Sequence, residues 1–158
     1  MKKKTSIQSG AEGWASQYMH LWQLKRPQKD LIFAVLHSHL LINHFIDKFI
    51  NELNPNLGNM SEISMDFDQK LKLIKQPKNN LVFSKFIRGI KQLNTVRNNI
   101  AHELEYDLQK SGVSEMAAAL DLLPKNNFKN KDPIEVINSF TPFAMGILGS
   151  EVRKEKEA

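Results

Sequence analysis

The stretch "LVFSKFIRGIKQLNTVRNNIAHEL", residues 81–104, decides the fold of this chain. Its apolar residues recur with a period near 3.6 and fall within a stripe of about 100° on an ideal helix. The residues of this stripe are Phe83, Phe86, Ile90, Leu93, Ile100 and Leu104. No strand pattern in the chain fits better than the helical one. We therefore predict a long amphipathic helix from residue 81 to about residue 108.

A second long helix is predicted upstream, capped at or near Asp30 and ending at about Leu53. Its core-facing positions again recur every 3.6 residues. They are Ile32, Leu36, His39, Asn43, Ile46, Phe49, Ile50 and Leu53. The turn residues of "NPNLGN", residues 54–59, end the helix. Together the two long helices are expected to carry most of the core.

Shorter helices fill the rest of the chain. We predict one over residues 11–25 that Pro27 ends, one over 64–76 capped by Ser64, and an alanine-rich one between Ser114 and Pro124. The last helix is predicted to start at an Asp132 cap with Pro133 in its first position, and Pro142 is a candidate kink.

These elements predict a single all-α bundle. A length of 158 residues fits one domain, and only 7 glycines and 6 prolines disfavour an all-β fold with many tight turns. We expect a flexible N-terminal tail over residues 1–10, one domain over 11–150 and a charged C-terminal tail over 151–158.

Composition excludes several classes of protein. The chain has no cysteine, so disulfides and thiolate metal sites are ruled out. It offers no uninterrupted run of about 18 apolar residues. The basic opening "MKKK" lacks the apolar stretch of a signal peptide, so no membrane partner is expected and the cytoplasm is the expected location. A net charge of +5 suits a polyanionic partner, although Lys2, Lys3 and Lys4 supply three of those charges.

Polar side chains interrupt the helix of residues 81–104 near its end. On an ideal helix Arg97 lies at the edge of the apolar stripe, while Asn98, His102 and Tyr106 form a separate row at spacings of four. Asn98 can therefore orient the imidazole of His102 across one turn. An arginine that complements the helix dipole and a histidine on the surface are the alternative interpretation.

Arg97 and His102 are about 140° apart around a straight helix, so they do not readily meet on one phosphate. Two arrangements solve this problem. The helix distorts near Asn98 and Asn99, or two copies of the helix pair in a two-fold dimer and each phosphate is held by residues of both chains.

The segment "RNNIAH", Arg97 to His102, resembles the R-x4–6-H motif of HEPN domains, the higher-eukaryote and prokaryote nucleotide-binding family. Arg97, Asn98 and His102 match the arginine, polar and histidine positions. The long helix of residues 31–53, the short "MDFDQKLKLI" and then "LNTVRNNIAHEL" are similar to the order of elements in bacterial HEPN proteins. The resemblance covers about residues 30–110.

This resemblance implies an all-α, HEPN-like bundle of four to five main helices that dimerises with the motif at its interface. It implies a metal-independent endoribonuclease in which Arg97, Asn98 and His102 are catalytic, with Asn99 and Tyr106 expected to contact substrate. No cofactor and no metal are expected. The implied partners are RNA, a second copy of the chain and a cognate antitoxin or other protein, since many members are toxins or phage-defence components. The alternative is a catalytically inactive module for nucleotide binding or protein assembly.

The chain departs from one subgroup of the family. Members that are modified by a partner nucleotidyltransferase carry a tyrosine two residues after the motif histidine. Leu104 occupies that position here, and the nearest tyrosine is Tyr106. Regulation by that route is therefore not expected.

Three further histidines lie on the predicted helix of residues 31–53. His37, His39 and His44 contain no pair spaced by four, the spacing of helical zinc sites. Packing or interface roles are favoured for them, and the alternative is that one of them lines the same cleft as His102. Asp66 and Asp68 are interpreted as first-turn acids of a helix rather than as metal ligands.

Overall fold

In a computed structural model the described residues are 26–60, 62–74, 80–102, 112–124 and 126–157. These ranges contain five α-helices and no strand, which confirms the all-α prediction. The helices are α1 Arg26–Leu53, α2 Phe67–Leu73, α3 Leu81–His102, α4 Ser114–Leu120 and α5 Pro133–Glu157, with a 3-10 turn at Pro55–Leu57 after α1. The tail of residues 1–10 and the helix of residues 11–25 that the sequence predicts lie outside the described residues.

Helix α1 begins earlier than the sequence predicts. It starts at Arg26, so the prediction that Asp30 caps it is wrong. Pro27 lies in the first turn, where a backbone amide has no partner within the helix and proline is tolerated. The end at Leu53 agrees with the prediction, and Gly58 follows it with a φ of 80°, a left-handed conformation that favours glycine.

The buried face of α1 differs from the predicted stripe. Its buried residues are Ala34, Val35, Ser38, Ile42, Ile46, Phe49 and Ile50. Leu36 is exposed, and His39 and Asn43 are only half-buried. The predicted stripe is therefore wrong at Leu36, only partly buried at His39 and Asn43, and correct in its last two turns.

Helix α3 confirms the stripe that decides the fold. The backbone amide of Phe83 donates to Oδ1 of Asn80 at 3.0 Å, which caps the helix start. Its buried residues are Phe83, Phe86, Ile87, Gly89, Ile90, Leu93, Asn94 and Val96. The helix is unbroken from Leu81 to His102, so the predicted distortion at Asn98 and Asn99 is not observed. The predicted continuation to residue 108, with Leu104, lies outside the described residues.

The core forms where α1 packs against α5 and α3, and where α4 packs against α3. Gly89 allows α3 to lie close to α5 and α4, because a Cβ there would lie 2.6 Å from ring carbons of Phe140 in α5 and 3.4 Å from the Cα of Met116 in α4. The side chain of Gln92 in α3 caps the start of α4, since its Oε1 accepts hydrogen bonds from the backbone amides of Glu115 and Met116 at 2.9 and 3.1 Å.

The remaining helix ends show one wrong prediction and one confirmed one. Helix α2 is capped by Asp66 and not by Ser64, because Asp66 and Gln69 form a reciprocal capping box with distances of 2.7 and 2.9 Å. Asp132 caps α5 as predicted, with its Oδ1 accepting from the Ile134 amide at 2.9 Å.

Helix α5 is longer than the sequence predicts. It continues through Pro142 and ends at Glu157, so residues 151–157 are helical where the sequence predicts a charged tail. None of the helices within the described ranges is long and apolar enough to cross a membrane.

Candidate functional site: a polar cavity between α1, α2 and α3

A cavity of about 450 Å³ lies where α1, α2 and α3 meet. Ten residues line it, and most are polar. They are His39 and Asn43 of α1, Met65 and Asp66 before α2, Phe67, Asp68 and Lys70 of α2, and Asn94, Arg97 and Asn98 of α3. Two of the three catalytic residues that the sequence predicts, Arg97 and Asn98, are therefore in one cavity wall.

Arg97 and Asn98 are joined directly. The guanidinium Nη1 of Arg97 donates to Oδ1 of Asn98 at 3.0 Å, and both side chains are half-buried. A guanidinium has five N–H donors and the Asn98 amide keeps two, so this contact leaves several donors for oxygen acceptors in the cavity. The sequence predicts that Asn98 orients His102, whereas here its oxygen faces Arg97.

A second polar chain crosses the cavity from α2 to α1. Asn94 Nδ2 donates to Asp68 Oδ1 at 3.3 Å, and Asn94 Oδ1 lies 3.1 Å from Nε2 of His39. A carboxylate only accepts hydrogen bonds, so Asp68 determines that the amide nitrogen of Asn94 faces it and that the oxygen faces His39. Nε2 of His39 must then carry the proton, and Nδ1 is left as the acceptor nitrogen.

The environment of His39 favours the neutral form of its imidazole. Burial lowers the pKa of His39, the hydrogen bond with Asn94 raises it in part, and the nearby charges of Arg97 and Lys70 lower it further. The ring also packs against Phe67, with centroids 4.5 Å apart and planes tilted by 31°. The cavity therefore contains a permanent cation, Arg97, and an oriented neutral base, His39.

Lys70 has a structural role in the cavity wall. Its Nζ is an ion-pair partner of Asp47 Oδ1 at 2.7 Å, while its hydrogen bonds go to Asp47 Oδ2 at 3.0 Å and to Asn43 Oδ1 at 3.1 Å. The Lys70 side chain is only 8% exposed. The carboxylate of Asp47 neutralises this buried ammonium, and the pair fastens α2 to α1.

The other predicted site residues lie elsewhere. His102 is exposed at the end of α3 and does not line the cavity, as expected for a side chain about 140° around the helix from Arg97. Asn99 is half-buried and does not line it either. Tyr106, the other predicted substrate contact, lies outside the described residues.

Sequence reasoning missed the roles of His39, Asn94 and Asp68. One signal in the sequence is that His39 and Asn43, which are polar, occupy positions of the apolar stripe of α1, and that Asn94 lies next to Leu93 at the edge of the stripe of α3. His37 and His44 remain on the exposed face of α1, and the ring of His37 stacks on Phe33 at 5.4 Å. The alternative that one α1 histidine lines the same cleft as His102 is wrong, because His39 lines a cavity with Arg97 and His102 does not.

Metal binding has no support in this part of the chain. Among the described residues no group of three or more His, Asp or Glu side chains could hold a metal ion. Asp66 caps α2 and Asp68 lies in its first turn, which agrees with the predicted helix-start role for both acids.

Comparison of the chain with protein-family models, with curated proteins and with solved structures found no match. The resemblance to HEPN domains therefore depends on the motif residues and on the order of the helices.

Proposed function

We propose that the protein is a metal-independent endoribonuclease that acts as a homodimer. The single observation that carries the proposal is the pair formed by Arg97 and Asn98, which presents a permanent cation and amide donors in the wall of a cavity. His102 lies five residues further along the same unbroken helix.

The chemistry needs only groups that the chain supplies. RNA carries its own nucleophile, the 2′-OH. A guanidinium is a permanent cation, and that of Arg97 offers paired donors to phosphate oxygens, which stabilises the charge that develops on the phosphorane. His102 supplies an imidazole, the side chain that most often transfers protons in enzymes. The expected products are a 2′,3′-cyclic phosphate and a 5′-hydroxyl.

The geometry of α3 supports the proposal of a dimer. Arg97 faces the cavity and His102 faces away from it in the same chain. A second copy of α3 related by a two-fold axis can bring its histidine to the phosphate that Arg97 binds. Each of the two sites then contains residues of both chains.

The test is cleavage of a labelled RNA by the purified protein in EDTA, with the matching DNA as control. We expect RNA fragments with cyclic phosphate ends and intact DNA, because DNA lacks the 2′-OH. Wild-type protein that leaves RNA intact, or His102→Ala protein that cleaves as fast as wild type, contradicts the proposal.

A toxin or phage-defence role extends the proposal to the cell. Induced expression of the wild-type chain should then arrest growth, and a cognate antitoxin should relieve the arrest. The control is His102→Ala, which we expect to permit growth. Arrest by both chains at equal protein levels contradicts a role that depends on RNA cleavage.

A catalytically inactive nucleotide-binding module is the second candidate, and one observation favours it. The cavity wall contains two carboxylates, Asp66 and Asp68, opposite Arg97, so it is not a simple basic groove for a polyanion. A mononucleotide with its phosphate on Arg97 and its base near Phe67 suits this mixed lining. Saturable binding of a mononucleotide without RNA turnover selects this function.

A further inference from the structure

We propose that His39 is the general base of the ribonuclease, and that Nδ1 of its ring accepts the proton of the RNA 2′-OH. This inference rests on the proposed function. It gives His102 of the second chain the complementary task of protonating the leaving oxygen.

The first argument is location. His39 and Arg97 line the same cavity of the same chain, whereas His102 lies outside it. A phosphate bound by Arg97 is therefore adjacent to His39 without any movement of the helices. Attack on phosphorus is in line, so the attacking and leaving oxygens are on opposite sides and need two separate proton carriers. Histidines on two different faces of the site meet that requirement.

The second argument is orientation. Asp68 determines the direction of the Asn94 amide, and Asn94 in turn places the proton of His39 on Nε2. Asn94 is only 8% exposed, which holds this relay in place. The arrangement resembles the carboxylate that orients a catalytic histidine, with an amide inserted between the two groups.

The third argument is charge. The groups that face His39 are the cations Arg97 of α3 and Lys70 of α2, and the carboxylates Asp66 and Asp68 at the start of α2. Asp47 neutralises Lys70, Asp66 accepts from the amide of Gln69, and Asp68 accepts from Asn94. Burial and the nearby charges of Arg97 and Lys70 favour an uncharged ring at His39, the state that a base needs before the reaction.

The reaction balances with these groups alone. Nδ1 of His39 takes the proton from the 2′-OH, and O2′ forms a bond to phosphorus. The bond from phosphorus to O5′ breaks, and O5′ takes a proton from the imidazolium of His102 of the second chain. The products are the 2′,3′-cyclic phosphate and the 5′-hydroxyl. His39 then gives its proton to water and His102 regains one.

The first experiment follows the ring of His39 by NMR in isotope-labelled protein, with uridine 3′-monophosphate as the probe. We expect free protein to show the tautomer protonated at Nε2, and we expect the probe to shift the His39 ring signals. Arg97→Ala should abolish this shift. Signals of His39 that stay fixed while those of Arg97 move overturn the inference.

The second experiment compares two histidine variants of one helix by RNA cleavage. His39→Asn should slow cleavage by about 100-fold or more, the usual loss for a general base. His37→Asn is the matched control, since His37 is exposed and outside the cavity, and its rate should equal that of wild type. Cleavage by His39→Asn at the wild-type rate overturns the inference and leaves the ribonuclease proposal standing.

The third experiment assigns base and acid with RNA that carries sulfur in place of the bridging 5′-oxygen. A thiolate leaves without being protonated, so this substrate should restore cleavage by His102→Ala and should not restore cleavage by His39→Asn. Rescue of His39→Asn reverses the two roles and overturns the inference. If wild type cleaves neither substrate, the ribonuclease proposal fails and the base role fails with it, while the NMR titration still tells whether His39 contacts a nucleotide.

Asp68→Asn tests the same hydrogen-bond relay without removing the imidazole, so it remains informative if His39→Asn does not fold. Asp68 is exposed, and its substitution should therefore not disturb folding. It frees the Asn94 amide to turn, so we expect the tautomer protonated at Nδ1 to appear and the turnover rate to fall roughly tenfold with little change in substrate affinity. An unchanged tautomer together with an unchanged rate contradicts the orienting role.

Discussion

Lys70 and Arg97 are two cations in the wall of one cavity, and their surroundings differ. Lys70 is 8% exposed and is neutralised by the carboxylate of Asp47 at 2.7 Å. Arg97 is half-buried and, within the described ranges, donates to the neutral amide of Asn98 and forms no ion pair. A buried charge that is paired in this way holds helices together. A charge beside a neutral partner stays available to an anion, so the comparison distinguishes a structural cation from a candidate binding cation.

Loss of the binding cation should have the largest effect. Arg97→Ala should reduce RNA cleavage by about 100- to 1,000-fold, because donors aimed at a developing charge contribute on the order of 3 kcal/mol. Arg97→Lys should restore only part of the rate, since lysine lacks the planar pair of donors. Melting curves of the two variants should stay close to that of wild type, which separates binding from folding.

Variants of Arg97 and His102 together test whether each active site contains residues of both chains. Arg97→Ala and His102→Ala chains, unfolded together and refolded, should regain about a quarter of wild-type activity, since half of the dimers are mixed and each has one of two sites intact. If the mixture stays inactive while mixed dimers form, the arginine and histidine act within one chain.

Loss of the structural cation, Lys70, should act mainly on stability. Lys70→Ala leaves the carboxylate of Asp47 buried without its partner, and we expect the free energy of unfolding to fall by about 3 kcal/mol. The double variant Lys70→Met with Asp47→Leu should regain much of that loss, because both charges are then removed. Denaturant titration measures both. A Lys70→Ala protein as stable as wild type contradicts the structural role of Lys70.

Gly89 gives a smaller, purely structural comparison. Gly89→Ala places a Cβ 2.6 Å from the ring of Phe140, so the ring or α5 must shift. We expect a loss of about 1–2 kcal/mol in the free energy of unfolding, since overpacking outweighs the better helix propensity of alanine. Cleavage per folded molecule should not change, because Gly89 does not line the cavity.

The smallest expected effect is the pH dependence of stability that arises from His39. The folded pKa of His39 is below its ordinary value, so the unfolded chain binds the proton first as the pH falls. Stability should therefore decline as the pH drops below about 6.5, the usual pKa of histidine. His39→Asn should remove this part of the decline between pH 7 and pH 5, and thermal melts at several pH values measure it. An equal decline in His39→Asn contradicts the lowered pKa.

The sequence predicts correctly those features of the helices, such as apolar stripes and caps, that depend on residues close together in the chain. The apolar stripe of α3 and the Asp132 cap of α5 are confirmed, because both depend on neighbouring positions in the sequence. The start of α2 was predicted two residues early at Ser64, since both Ser64 and Asp66 are good caps and only the reciprocal bond with Gln69 selects Asp66. The predicted stripe of α1 is wrong at Leu36, which is exposed, because the face that packs on the core passes through Val35, Ser38 and Ile42 instead.

By itself the sequence determined the helices, the class of fold and the presence of Arg97 and Asn98 on one helix. The tertiary structure decided that His39 lies with them: its contact to Asn94 joins residues 55 apart in the chain. The residue spacing along a single helix cannot predict this contact, because the contact depends on how closely α1, α2 and α3 approach one another. Side-chain volumes at the packed faces, and the buried pair of Lys70 with Asp47, determine that approach.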